Sequence, residues 1–309
     1  MKTLRVGMVD LDTSHPAAFV PLIRSLGHEV TAVFDSGEVN PVGYAATFAQ
    51  EHGIQNVCNT LQEMMALIDV VFIHSCNWDV HVERARPFVE ADKGVFIDKP
   101  FAGNVRDLQQ LLDWSAEGAK ISGGSSLRYS QEVAGWKSQA FPREDWVYAI
   151  AGCGVDAFNY GIHAYTMLHG LMGPGISQVT HLGTTGQDQF ELLWKDGRRG
   201  MVSVGGTAGN IPFYANIVSQ KRVDYLQVDN SKLYQVLLEA VLPYYAGEQP
   251  VPLPLKALAE AEMAAIAAKL SMEQGRTVSL KDIPQDYSGY DGTSFAQSYK
   301  RKKYPLIQS

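Results

Sequence analysis

The first part of the chain alternates short apolar runs with amphipathic ones. Residues 4–9, 29–34, 69–74 and 94–97 read as strands, and shorter strands fall near Val57 and over 120–122. Between them, 17–26, 43–51, 61–67, 80–91 and 105–115 carry helical spacing. Strand and helix in alternation predict βαβ units, hence a parallel sheet with helices on both faces.

After about Leu127 the rhythm changes. Residues 146–151 read as a strand and 159–171 as a helix, stopped by Gly173-Pro174-Gly175. Strand-like runs follow at 178–183, 190–194, 200–205, 213–219 and 222–228, with Lys195-Asp196-Gly197 as a hairpin turn. An alanine-rich helix is expected over 255–272, closed by Gly275. The fold class is therefore α/β. A Rossmann-type, doubly wound domain is expected over 1–126, and an α+β domain of mainly antiparallel sheet over 127–309.

Bulk properties narrow the function. At 309 residues, 46% hydrophobic, the chain has enough apolar material for two cores. A net charge of -7 argues against nucleic acid as a partner. The one basic run, residues 300–303, reads as a solvated tail or a helix C-terminus. No apolar run approaches the ~20 residues of a membrane helix. Cys58, Cys76 and Cys153 are too scattered for a disulfide set. With no leader pattern at the start, the cytoplasm is the expected location.

The loop after the first strand reads Asp10-Leu11-Asp12-Thr13-Ser14-His15-Pro16. In a dinucleotide-binding fold this turn carries GxGxxG, whose glycines let backbone N–H groups approach the pyrophosphate. Here the three positions hold Asp10, Asp12 and His15. A carboxylate about 6 Å from a phosphate, at an effective dielectric near 20, is repelled by roughly 3 kcal/mol. That is about a hundredfold in affinity unless the acids turn away. Thr13 and Ser14 offer hydroxyls to a phosphate. Pro21 lacks an N–H, which places the helix start near Ala17 or Ala18. Asp35, ending the second strand, is the residue type that holds ribose hydroxyls, favouring NAD over NADP; an ordinary turn-forming aspartate is the alternative.

A series of motifs follows in order: Ser75-Cys76-Asn77 after an apolar strand, His81, Asp98-Lys99-Pro100, Ser126-Leu127-Arg128-Tyr129, Asn159-Tyr160-Gly161-Ile162-His163, and AEMAAIAAKLSMEQGRTVSL near the end. Together they resemble the Gfo/Idh/MocA (glucose–fructose oxidoreductase / inositol dehydrogenase) family. The resemblance implies hydride transfer between a nicotinamide and a sugar, polyol or sugar-acid hydroxyl carbon. It implies cofactor contacts at Asp10, Asp12, Thr13, Ser14, His15, Asp35, Ser75, Cys76, Asn77, His81, Lys99 and Pro100. Lys99 would orient the hydroxyl and His163 would take its proton. The family's aspartate one helical turn before that histidine is Asn159 here, able to meet His163 at i, i+4 but not to offset an imidazolium. Such an Asp-to-Asn change in a serine-protease triad costs about 10⁴-fold in rate.

Trp78, Tyr129 and Tyr165 are candidates to stack on a sugar ring, with packing as the alternative; Arg128 is a candidate to pair with a substrate carboxylate, and Tyr160 a further substrate contact. The resemblance also implies a homodimer or homotetramer. Two other readings stand beside the dehydrogenase. One is a non-catalytic ligand-binding member, suggested by the missing glycines and Asn159. The other is a metal enzyme using Asp10, Asp12 and His15, with His74 at a neighbouring strand end.

Overall fold

The computed structural model describes residues 2–139, 145–206 and 211–305. A first sheet is built from β1 (Arg5–Val9), β2 (Glu29–Phe34), β3 (Asn56–Val57), β4 (Val70–Ile73), β5 (Gly94–Ile97) and β6 (Ile121–Gly123). Its order is β3-β2-β1-β4-β5-β6 and every pairing is parallel. All four residues of β4 and of β5 are buried, as expected for strands covered on both faces. The covering helices are α1 (His15–Ser25), α2 (Tyr44–His52), α3 (Leu61–Met65), α4 (His81–Glu90) and α5 (Val105–Ala116). The strand order reverses between β1 and β4, which opens a crevice beyond their carboxyl ends.

After a short α6 (Gln131–Lys137) comes the second sheet: β7 (Trp146–Gly152), then, beyond α7 (Gly161–Met172), β8 (Ile176–Thr185), β9 (Gln187–Trp194), β10 (Arg199–Val204), β11 (Tyr214–Ser219) and β12 (Val223–Gln227). β13 (Val278–Ser279) adds the last strand, giving the order β12-β11-β7-β10-β9-β8-β13. Only β7 and β10 pair in parallel. The hairpin expected at Lys195-Asp196-Gly197 joins β9 to β10. Between β12 and β13 run α8 (Leu233–Tyr245) and α9 (Leu255–Gln274). The alanines of α9 are buried on nearly every side, because the helix is wedged among α5, α7 and β8. Small side chains let these backbones approach closely and tie the two sheets together.

α8 has no counterpart among the expected elements, and three others differ from expectation. α1 begins at His15, two to three residues early, with Pro16 in its first turn and Pro21 inside. Pro21 is tolerated because it lies on the exposed face. α7 begins at Gly161, not Asn159, because the Asp156 carboxylate accepts from Phe158 N–H and Tyr160 N–H and holds that segment as a turn. The basic run is the end of a helix, α10 (Gly292–Lys303), but it is not simply solvated. Lys300 and Lys303 reach across to the first sheet.

Candidate active-site cleft

The loops after β1, β4 and β5 meet α7, α8 and α10 around a cavity of about 240 Å³. Thr13, Ser14, His15, Cys76 and Lys99 supply one wall; Asn159, Tyr160, His163, Phe213 and Tyr234 supply the other. Phe295 and Tyr299 of α10 close one side.

Lys99 Nζ donates to Asn159 Oδ1 at 2.9 Å and to the Asn159 carbonyl at 3.1 Å. Burial lowers the Lys99 pKa, against the opposing pull of Asp98 and Asp156. His163 Nδ1 lies 2.7 Å from Ser125 Oγ. Burial and the nearby Lys99 ammonium hold its imidazolium form well below the usual histidine range. Asn159 therefore does not hold His163, contrary to the i, i+4 expectation. It lies outside the helix and serves Lys99, and the histidine's partner is Ser125, which the sequence reading missed.

The loop acids turn inward. Asp10 adopts φ 58°, a left-handed conformation that aspartate tolerates better than most residues. Its carboxylate accepts from Ser36 N–H, Ser75 Oγ–H and Arg84 Nε–H. Asp12 Oδ2 accepts from Cys76 N–H at 2.9 Å. Neither acid joins His15, so the Asp10, Asp12 and His15 ligand set is not assembled. What His15 meets instead is Asp98: Nδ1 lies 2.6 Å from Asp98 Oδ2, and His74 Nδ1 lies 2.9 Å from the same oxygen.

Burial and the Asp10 charge hold the Asp12 carboxyl up at about 8. An unfolded aspartate titrates near 3.9, so unfolding at neutral pH releases a proton. The stability this group contributes is complete below about pH 4 and is lost as pH rises to about 8. Asp12→Asn removes that loss. The melting temperature of the variant relative to wild type should climb from about pH 5 to about pH 8; a difference that stays flat would contradict it.

Other expected site residues lie elsewhere. Trp78 is buried against Phe158 and Phe295, with Nε1–H donating to the Tyr290 carbonyl. Tyr165 is wholly buried in the core. Arg128 is buried and donates to His169 Nδ1, so it does not face the cavity. The Tyr129 hydroxyl is buried without a partner. His81 sits between two carbonyls, Nδ1 2.9 Å from that of Phe101 and Nε2 2.9 Å from that of Ser75, which fixes the β4 loop. Asn77 caps Asp79 N–H and reaches Glu38. Ser75 serves Asp10, and Pro100 is buried behind Lys99.

A nicotinamide dinucleotide fits this frame unevenly. At the inner end, Thr13, Ser14 and His15 line the cavity, with two hydroxyls able to meet a phosphate, and neither Asp10 nor Asp12 lines it. The outer end, where an adenosine ribose meets the end of β2, is closed. Asp35 spends its carboxylate on Leu11 N–H, Gly37 N–H and Asn40 Nδ2. Over it, Lys300 Nζ donates to the Glu38 carbonyl at 2.7 Å, and Lys303 Nζ to the Asp12 carbonyl and Asn40 Oδ1, each at 2.8 Å. Tyr304 Oη–H donates to the same Asn40 oxygen. The dinucleotide does not fit while α10 is seated there, and a ribose role for Asp35 requires these bonds to be given up.

Among the described residues no helix is long and apolar enough to cross a membrane. No curated protein matches the chain by sequence. Solved structures share its fold. A probable dehydrogenase from Thermotoga maritima is 15% identical, with a TM-score of 0.79 over 91% of this chain and 100% of its own. Myo-inositol dehydrogenase from Lactobacillus casei, in complex with NAD(H) and myo-inositol, is 17% identical, with a TM-score of 0.76 over 90% and 97%. UDP-N-acetylglucosamine 3-dehydrogenase from Acidithiobacillus ferrooxidans is 14% identical, with a TM-score of 0.71 over 88% and 98%. At these identities the likeness is one of fold. Residues 4–122 match the family model described as oxidoreductase family, NAD-binding Rossmann fold. This N-terminal part of the chain is thus similar to the Gfo/Idh/MocA oxidoreductase family.

Proposed function

We propose that the cleft is the active site of a nicotinamide-dependent oxidoreductase acting on a hydroxyl carbon of a sugar, polyol or sugar acid. The observation that carries this reading is the convergence of Lys99, Asn159, Tyr160 and His163 on one cavity beyond β1, β4 and β5 of an oxidoreductase-family scaffold. A structural neighbour that binds myo-inositol supports a carbohydrate ligand. A bound nicotinamide supplies the hydride acceptor. The chain itself binds, orients and handles the proton. Asn159 positions the Lys99 ammonium, which stabilises the substrate oxygen as it loses its proton. A histidine of the cavity accepts that proton. An acid at the end of β2 supports NAD over NADP once α10 is lifted.

The test is a screen of inositols, free sugars and sugar acids with NAD⁺ and NADP⁺, followed by the absorbance of the reduced cofactor. Turnover with NAD⁺ ahead of NADP⁺ is expected; none across the set would sink the reading. A non-catalytic binding role has one observation in its favour, the seat of α10 over the cofactor end. Calorimetric binding of a polyol without turnover would select it. The seven-stranded sheet exposes Val147, Tyr148, Leu182, Val223 and Tyr225, and we take this face as the contact between copies in a homodimer or homotetramer. A monomer in sedimentation would contradict that.

A further inference from the structure

His15, Asp98 and His74 come from the start of α1 and from the ends of β5 and β4, and all three meet beside the cavity. His15 stands where the fingerprint's third glycine is expected, and Asp98 where the family motif has glutamate. Two departures from the family pattern thus contact one another directly.

The chemistry of the contact is specific. Asp98 Oδ2 lies 2.6 Å from His15 Nδ1, and Asp98 Oδ1 accepts from Lys99 N–H at 2.8 Å. Burial raises the Asp98 carboxyl, but the charges and hydrogen bonds of His15 and His74 outweigh it and hold it well below the usual carboxylate range. An ionised carboxylate accepts a hydrogen bond from Nδ1–H, which fixes the tautomer with its lone pair on Nε2. Phe19 stacks on the ring at 5.9 Å and Tyr234 packs against it at 4.9 Å, so the ring cannot swing freely. His15 also lines the cavity that holds Lys99. His163 is the poorer acceptor: its partner is a neutral hydroxyl, and a proton on it would sit near the Lys99 ammonium.

We propose that His15, held by Asp98, is the proton acceptor of this cleft in place of His163, with His74 as a positioning residue behind Asp98. This rests on the reading that the cleft activates a substrate hydroxyl. The O–H bond breaks, its proton forms the Nε2–H bond of His15, and the electron pair stays on the oxygen facing Lys99.

The first test needs no turnover. Diethyl pyrocarbonate acylates neutral imidazoles at an accessible nitrogen, and peptide mapping assigns each site. His15 is expected to react faster than the half-buried His52 of the surface. Asp98→Asn is expected to slow it roughly tenfold or more, because an amide N–H facing Nδ1 moves the ring proton to Nε2. A His15 no faster than His52, or one indifferent to Asp98→Asn, overturns the proposal. If Asp98→Asn does not fold, the comparison with His52 decides alone. Stoichiometric zinc on the purified protein, lost in His15→Asn, also overturns it by making the three side chains metal ligands.

Where the screen yields a substrate, His15→Ala should lower kcat by roughly 10²- to 10⁴-fold with little change in KM, and added imidazole should restore part of it. His163→Gln should lower kcat less. Full kcat in His15→Ala, or a larger loss in His163→Gln, refutes the assignment. A screen without turnover removes the dehydrogenase reading and leaves the acylation result to judge the pair.

Discussion

Replacing Lys300 and Lys303 together by alanine is expected to tighten NADH binding by roughly ten- to a hundredfold. The two ammonium groups bond backbone carbonyls of Glu38 and Asp12, in the loops after β2 and β1. In a Rossmann fold that is where the adenosine ribose and the pyrophosphate lie. A dinucleotide then binds only the fraction of molecules in which α10 has left its seat, and its apparent affinity is reduced by that fraction. Hydrogen bonds to charged groups contribute about 1.5–3 kcal/mol each, less at a half-exposed site where solvent competes. Losing two such anchors therefore moves the equilibrium by roughly 1.4–2.8 kcal/mol. The other end of α10 stays fixed, because Asp79 Oδ2 accepts from Gly292 N–H and Thr293 N–H, and Phe295 packs on Trp78. The double variant should keep its fold for that reason. Calorimetric titration with NADH checks it. Unchanged or weaker binding would mean that the lysines do not exclude the dinucleotide, and weaker binding would place them on its phosphates.

The pattern of apolar positions carried most of the first sheet, because strands buried on both faces read as continuous apolar runs, as in β4 and β5. The site was legible only in part. Lys99 and His163 stood out by motif, yet their hydrogen-bond partners did not. Asn159 failed as a helical neighbour because Asp156 delays the start of α7, and an aspartate two residues before a string of free N–H groups was the available signal. The His15–Asp98 contact spans 83 residues, and no local period reports a pairing between the start of α1 and the end of β5. α8 was overlooked although Leu233, Leu237, Leu238, Val241 and Leu242 share one face. α10 is too polar for its hydrophobic pattern to mark it, and its lysines looked like a solvated tail. Its role depends on which carbonyls it meets, and only the fold decides that.

The second large effect concerns Lys99. Lys99→Met keeps the length and the apolar stem of the side chain and removes the ammonium. Losing one preorganised donor to a developing oxyanion costs about 10²–10³ in kcat. Ligand affinity should fall less, since the ground-state hydroxyl carries little charge. Stability should not fall with it, because burial already disfavours the charged lysine and the Asn159 oxygens face the open cavity. The histidine offers an independent check. The Lys99 charge is one of the causes that hold the His163 imidazolium down, so its removal should raise the pKa of His163, readable by NMR of selectively labelled histidine. Lys99→Arg should preserve that charge but not the turnover, because a planar guanidinium cannot occupy the position of a compact ammonium between two Asn159 oxygens. If Lys99→Met left kcat intact while His163 shifted as expected, the electrostatics of the cleft would stand and Lys99 would lose its place at the substrate oxygen.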